Sequence, residues 1–160
     1  MAESRLPRKV RSLRTKELRP YGERRQAALF CYGMSCVLGV PVVFAHVEKA
    51  DYDCVARWVI GHSAHFRAVQ LKELVPPDIN PKAALESELS KLTKYQDSDD
   101  LTVAFYINRP IRLENRPQLP AGLRVGEVWA YGASSSDSSK WMICGDLLQN
   151  PTMYEYAYPS

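Results

Sequence analysis

The sequence predicts an α/β fold in which helices flank a mixed central sheet, with an additional strand pair near the C-terminus. An apolar stripe at helical spacing precedes three short segments rich in β-branched and aromatic residues. A second helical pattern then separates the third of these segments from a fourth, as a crossover helix would. Two further strands follow, joined by a serine-rich loop that is typical of a hairpin.

The chain of 160 residues is long enough for one domain with terminal extensions. We expect a flexible basic arm over residues 1–16, a single domain over residues 17–148 and a loose C-terminal tail over residues 149–160. The four cysteines form neither CxxC pairs nor a dense disulfide spacing. This pattern favours free thiols and a cytoplasmic protein, and it argues against structural zinc.

The first half of the domain is predicted to hold one helix and three strands. Ala27, Phe30 and Met34 share one stripe of a helix over Gly22–Leu38, which Gly39 ends. The strands are predicted at Pro41–Val47, Tyr52–Ile60 and Phe66–Val75, with turns at Glu48–Asp51 and Gly61–His65.

The uncharged stretch Ala27–Val47 also has the length of a membrane span, about 21 residues. Gly39 and Pro41 interrupt it, and its second half is β-branched and aromatic. These features favour a helix followed by a strand, so we do not expect a membrane partner.

The second half begins where Pro76 and Pro77 break the third strand. Asn80 and Pro81 predict the cap and first turn of a second helix, which would run to about Tyr95. Three more strands are predicted, at Leu101–Ile107, Leu123–Tyr131 and Lys140–Leu147.

Three residues on two neighbouring strands suggest chemistry. Asp53 opens the second strand, and alternation along the third places Gln70 and Lys72 on one face. If the two strands pair as a hairpin, Asp53 lies beside Gln70. The Asp53 carboxylate, the Gln70 amide oxygen and the backbone carbonyl of Leu71 would then suit Mg²⁺ or Mn²⁺, which prefer oxygen ligands. Lys72 could activate a water molecule and neutralise charge on a phosphate.

This motif, in the order helix, three strands, helix, strand, resembles the PD-(D/E)xK nuclease superfamily over about Gly22 to Ile107. The resemblance implies a restriction-endonuclease-like core and metal-dependent hydrolysis of nucleic acid, with DNA as the expected substrate. It makes Asp53, Gln70 and Lys72 catalytic residues. Many members also carry a glutamate near the start of the first helix, a place that Glu23 fits and for which Glu17 is the alternative. A homodimer is a further expectation, because small enzymes of this kind often dimerise.

Gln70 departs from the commoner glutamate of the motif and removes one charge from the metal site. Glutamine is a tolerated variant in the superfamily, but it also occurs where activity has decayed. A catalytically degenerate fold that binds protein or nucleic acid is therefore the alternative function.

Basic residues crowd the N-terminus, where residues 1–25 hold nine lysines and arginines against three glutamates. Such a segment suits an anionic partner, and Arg11, Arg14, Arg24 and Arg25 are the predicted nucleic-acid contacts. A solvated terminus explains the same charges.

Two other groups of residues are given structural interpretations. His62 and His65 have neither zincin nor zinc-finger spacing and are predicted to lie at a hairpin tip. Cys54, next to Asp53, is predicted to be a small buried thiol and not a nucleophile.

Overall fold

The computed structural model describes residues 12–47, 51–111 and 117–160. Within these ranges the protein is mixed α/β, with two helices and one curled sheet of seven strands. The elements are α1 (Arg19–Leu38), β1 (Val43–His46), β2 (Cys54–Ile60), β3 (Ser63–Leu74), α2 (Leu85–Ser90), a 3₁₀ turn (Lys91–Lys94), β4 (Ser98–Ile107), β5 (Val125–Ala133), β6 (Lys140–Gly145) and β7 (Thr152–Ala157).

The strands lie in the sheet in the order in which they occur in the chain. β1, β2 and β3 form an antiparallel meander, and β4 and β5 continue the sheet parallel to β3. β6 and β7 then return antiparallel. As a result, the carboxyl ends of β3, β4 and β5 lie at the same edge of the sheet as the start of β2. We call this the carboxyl edge.

Each face of the sheet packs on one helix. On one face Phe30 of α1 packs with Val69, Leu71 and Ile143, and α1 contacts strands at both sides of the sheet, β1 and β7. On the other face Leu74, Val103 and Phe105 pack with α2 through Leu85 and Leu89. Alternation along β3 therefore assigns Val69 and Leu71 to the α1 face, and Gln70 and Lys72 to the α2 face.

Helix α1 starts three residues earlier than the apolar pattern predicts. Pro20 lies in its first turn, where a missing N–H costs nothing. Gly39 ends the helix as predicted, because its φ of 69° is in the left-handed region and its N–H donates to the carbonyl of Ser35.

The predicted second helix over Asn80–Tyr95 is wrong in its first part. Asn80 accepts a hydrogen bond from the Lys82 N–H at 3.0 Å, and the Arg109 guanidinium donates to the carbonyls of Asn80 and Ala83 at 3.1 and 2.8 Å. These contacts hold the segment as turns, and the α-helix is confined to Leu85–Ser90.

The predicted loose tail is also wrong. Residues 152–157 form β7, which pairs with β6 along its whole length. Tyr156 is buried on the α1 face and contacts the ring of Tyr32, with ring centroids 5.6 Å apart. Burial of this aromatic side chain and the hydrogen bonds to β6 order the segment.

The turn predicted at Gly61–His65 is shorter, since β3 begins at Ser63. The stretch Ala27–Val47 is divided between α1 and β1. Within the residues described, none of the helices has both the length and the apolar character needed to cross a bilayer.

Candidate active site

The pairing of β2 with β3 brings Asp53 and Gln70 together. Cys54 is opposite Val69 in register, and the Asp53 N–H donates to the Val69 carbonyl at 2.9 Å. The Asp53 side chain extends towards Gln70 and Leu71 of β3. Its Oδ2 accepts one hydrogen bond from Gln70 Nε2 and another, at 2.7 Å, from the Leu71 N–H. Asp53 and Gln70 are both half-buried.

The Gln70 amide is oriented as a hydrogen-bond donor, whereas the sequence predicts that it offers its oxygen to a cation. Its Nε2 bonds Asp53 Oδ2 and also lies 3.4 Å from the Leu71 carbonyl oxygen. Two oxygen acceptors thus converge on one group that carries partial positive charge. This is the environment that a hard cation prefers, and the Asp53 carboxylate and Leu71 carbonyl fit Mg²⁺ or Mn²⁺ in their chemistry.

The acidic side chains around this point are few. Among the described residues, no group of three or more His, Cys, Asp or Glu side chains could hold a metal ion. A cation beside Asp53 would therefore depend on one carboxylate, neutral oxygens and its own water molecules, which is a weakly charged site.

Lys72 lies on the same face as Gln70, and its Nζ is 6.0 Å from the centroid of the Tyr95 ring. Lys94 Nζ is 5.2 Å from the same centroid, so two ammonium groups flank one aromatic ring. Among the residues described, no carboxylate lies within ion-pair distance of Lys72. Its charge is therefore available to an anionic ligand.

Tyr95 also belongs to this cluster, although the sequence predicts it only as the last residue of a helix. Burial raises the pKa of its phenol, and the charges of Asp53 and Asp51 raise it further against the opposing effect of Lys94. The phenol is consequently neutral at physiological pH and keeps a proton to donate. Its position next to Lys94 was visible in the sequence, but its proximity to Asp53 depends on the crossover after β3.

Glu23 is not part of this cluster. It pairs with Arg19 at 3.5 Å along α1, which packs on the opposite face of the sheet from Gln70 and Lys72. Glu17 is exposed just before the same helix. The expectation of a helix glutamate beside Asp53 is therefore not met, because the sheet separates the two positions.

The predicted nucleic-acid contacts have different environments. Arg11 lies outside the described residues. Arg14 donates to Glu73 at 2.6 Å, and its guanidinium is largely covered. Arg24 lies 6.0 Å from the ring of Tyr21 on the surface of α1. Burial lowers the pKa of Arg25, and the nearby hydroxyl groups of Tyr106 and Tyr158 raise it by more, so that the pKa is above its usual value.

The thiol next to Asp53 is not a nucleophile. Cys54 is fully buried, and burial together with the charge of Asp53 raises the pKa of its thiol to about 12. The thiolate is therefore absent at neutral pH. His65 stacks on Trp58 in the β2–β3 ribbon, with centroids 5.4 Å apart, and His62 lies at the tip of this ribbon.

Comparisons with protein-family models, with curated proteins and with solved structures each found no match. A functional assignment for this chain therefore depends on the geometry of its own residues.

Proposed function

We propose that the protein is a metal-dependent phosphodiesterase that hydrolyses nucleic acid. The observation that carries this proposal is the convergence of Asp53, Gln70 and the Leu71 carbonyl on one point, with Lys72 on the same face of the sheet. Few structural roles require a half-buried carboxylate and amide on the same face as an ammonium group that makes no ion pair with the described residues. A phosphate ester and its cation would use all of them.

The order of the elements supports the proposal. A helix, an antiparallel meander of three strands, a short crossover helix and a parallel fourth strand follow one another in the chain. This is the order that the resemblance to the PD-(D/E)xK superfamily implies. The same order places the start of β2 next to the carboxyl-terminal half of β3, where Asp53 and Lys72 would be needed.

Each residue has a role that follows from its contacts. The Leu71 N–H fixes the direction of the Asp53 carboxylate, which together with the Leu71 carbonyl and the Gln70 side chain would hold Mg²⁺ or Mn²⁺. The cation would supply Lewis acidity at the phosphate and a lower pKa for an attacking water molecule. Lys72 neutralises charge that develops on the phosphate, and the Tyr95 hydroxyl can donate to a phosphate oxygen.

DNA is the expected substrate, and the described residues on the α2 face supply positive charge for a polyanionic ligand. Lys72 and Lys94 flank the Tyr95 ring, with their Nζ atoms 6.0 and 5.2 Å from its centroid. A negatively charged backbone at Asp53 would meet these two ammonium groups. Arg14 and Arg25 lie on the α1 face instead, beside Glu73 and Tyr106.

The test is cleavage of plasmid and single-stranded DNA in Mg²⁺ or Mn²⁺ by Asp53→Ala and Lys72→Ala variants. Each substitution should lower the rate by about a hundredfold or more, the usual loss when one charged catalytic group is removed. Glu86→Ala and Lys91→Ala remove the same kinds of charge on the nearby helical segment and should change the rate less than about threefold. If cleavage survives both Asp53→Ala and Lys72→Ala, the proposed site is wrong.

A second candidate, a catalytically degenerate module that binds nucleic acid or protein, is favoured by the orientation of Gln70. Its amide satisfies Asp53 without any cation. This alternative predicts tight binding of DNA in the presence of EDTA and no cleavage with any divalent cation. Measuring both properties on one preparation separates the two functions.

A further inference from the structure

A cleft with a volume of about 600 Å³ lies beside the carboxyl edge, away from Asp53. Its walls come from the ends of β4 and β5, the serine-rich loop before β6, and Arg25 of α1. This volume is within the range of about 300–1,000 Å³ that holds small ligands in proteins. In open sheets with parallel strands, ligands bind outside the carboxyl ends of those strands, which is where this cleft is.

The charge of the cleft is positive. Its described lining contains two arginines, Arg25 and Arg109, and no aspartate or glutamate. Arg109 is occupied by backbone carbonyls, including that of Ala83 at 2.8 Å. Arg25 lies near the phenol hydroxyl groups of Tyr106 and Tyr158, which compete with an incoming anion far less than a carboxylate would. One cation is thus positioned to bind an anionic group.

The remaining lining combines hydroxyl groups with an aromatic surface. Ser134, Ser136 and Ser138 contribute hydroxyl groups from one loop. Tyr106 is half-buried and belongs to a row of aromatic rings, with its ring centroid 5.7 Å from that of Tyr131 and 5.9 Å from that of Trp141. Hydrogen bonds within the loop order it, because the Asp137 carboxylate accepts from the hydroxyl groups of Ser135 and Ser139. Asp137 itself does not line the cleft.

We infer that this cleft binds a nucleotide, with its phosphate at Arg25, its sugar at the serine loop and its base against the Tyr106 ring. A phosphate alone would use only the arginine, and an uncharged nucleoside would leave the arginine without an anionic partner. The three kinds of contact, cationic, hydroxylic and aromatic, occur together in a nucleotide. The inference goes beyond the proposed hydrolysis and does not depend on it.

The experiment is calorimetric titration of the full chain in EDTA, where metal-dependent cleavage cannot occur. The probes are adenosine monophosphate, adenosine and inorganic phosphate. Adenosine monophosphate should bind at least about tenfold more tightly than either part, since one charge-assisted hydrogen bond contributes that much or more. Equal binding of phosphate alone, or no binding of the nucleotide, would overturn the inference.

Variants locate the binding. Arg25→Ala should weaken adenosine monophosphate about tenfold or more, and Arg25→Lys should weaken it less because it keeps the charge. Arg124→Ala, an equivalent truncation at the exposed start of β5, should leave the affinity unchanged. Amide NMR shifts on titration should affect Asn108, Gly132 and Ser136 but not Gly61 at the distant hairpin tip, and the opposite pattern would refute the cleft as the site.

The nucleotide could be free or could be the end of a strand. A 5′-phosphorylated oligonucleotide that binds more tightly than adenosine monophosphate, with the same dependence on Arg25, identifies a strand end. Equal affinity identifies the free nucleotide.

Discussion

The orientation of a single amide determines how the Asp53 site behaves at the scale of one residue. The Gln70 NH₂ group bonds the carboxylate that a cation would need. A cation must therefore break this hydrogen bond before it can bind Asp53, and the cost reduces its affinity. The same contact stabilises the protein in the absence of metal and would weaken cation binding at the proposed site.

Gln70→Glu should reverse this balance. In EDTA the variant should unfold at a lower temperature than the wild type, because two adjacent carboxylates replace a hydrogen-bonded pair, a loss of about 1–3 kcal/mol. Addition of Mg²⁺ or Mn²⁺ should raise its melting temperature more than that of the wild type, since a second carboxylate strengthens the cation site. Differential scanning calorimetry with and without the metal measures both effects.

The matched control is Asp53→Asn in the Gln70→Glu background. It keeps the new carboxylate but removes the old one, so the metal-dependent increase should largely disappear. An increase that persists would place the cation elsewhere, and no increase in Gln70→Glu itself would contradict the site.

At this scale the sequence predicts positions better than orientations. Alternation along a strand is enough to place Gln70 and Lys72 on one face, and the hairpin places Asp53 next to them. The direction of the Gln70 amide depends on the Leu71 N–H and carbonyl, which only the three-dimensional backbone supplies. Glu23 satisfied the helical spacing, but the spacing carries no information on which face of the sheet α1 covers.

At the scale of elements, Gly126 allows β4 and β5 to approach each other. A Cβ at this position would overlap the carbonyl oxygen of Asp99, next to the irregular register between Ser98 and Thr102. The parallel pair β4–β5 lies next to β3, which carries the proposed metal site, and the carboxyl ends of both strands line the proposed nucleotide cleft.

Gly126→Ala should lower the free energy of unfolding by about 1–3 kcal/mol, the usual cost of forcing atoms into a packed region. Gly22→Ala is the control, because there a Cβ would make only ordinary contacts at 3.6 Å with Leu13. Within α1 that change should stabilise the protein by about 0.5–1 kcal/mol. Urea unfolding measures both, and equal effects of the two variants would show that Gly126 has no special packing role.

The elements that the sequence misplaces are those that depend on distant residues. Asn80 and Pro81 are a good local signal for a helix start, but Arg109 binds the carbonyls of this segment from a position far along the chain. The sequence of residues 152–157 has no strong strand pattern of its own. The segment forms a strand because it pairs with β6 and because α1 covers Tyr156. By contrast, α1 and the first four strands have strong local patterns, and the sequence predicts them with errors at their ends only.

At the scale of the whole molecule, the basic N-terminal segment is divided between the fold and the solvent. Arg14 is bound to Glu73, which also accepts a hydrogen bond from Asn108 at 2.8 Å. Arg24 contacts only an aromatic ring among the described residues. The net charge of +3 is therefore a poor guide to the number of arginines that can reach a phosphate backbone.

The salt dependence of DNA binding should distinguish these two arginines. In EDTA, the logarithm of the association constant should fall linearly with the logarithm of the salt concentration, and loss of one phosphate contact should reduce the slope by about 1. Arg24→Ala should show this reduction with unchanged stability. Arg14→Ala should keep the slope and instead lower the free energy of unfolding by about 1 kcal/mol, because Glu73 loses a partner.

Fluorescence anisotropy at several salt concentrations, combined with urea unfolding of each variant, provides both readouts. A reduced slope for Arg14→Ala would mean that DNA displaces Glu73 from this arginine, and unchanged slopes for both would exclude these two arginines from the interface.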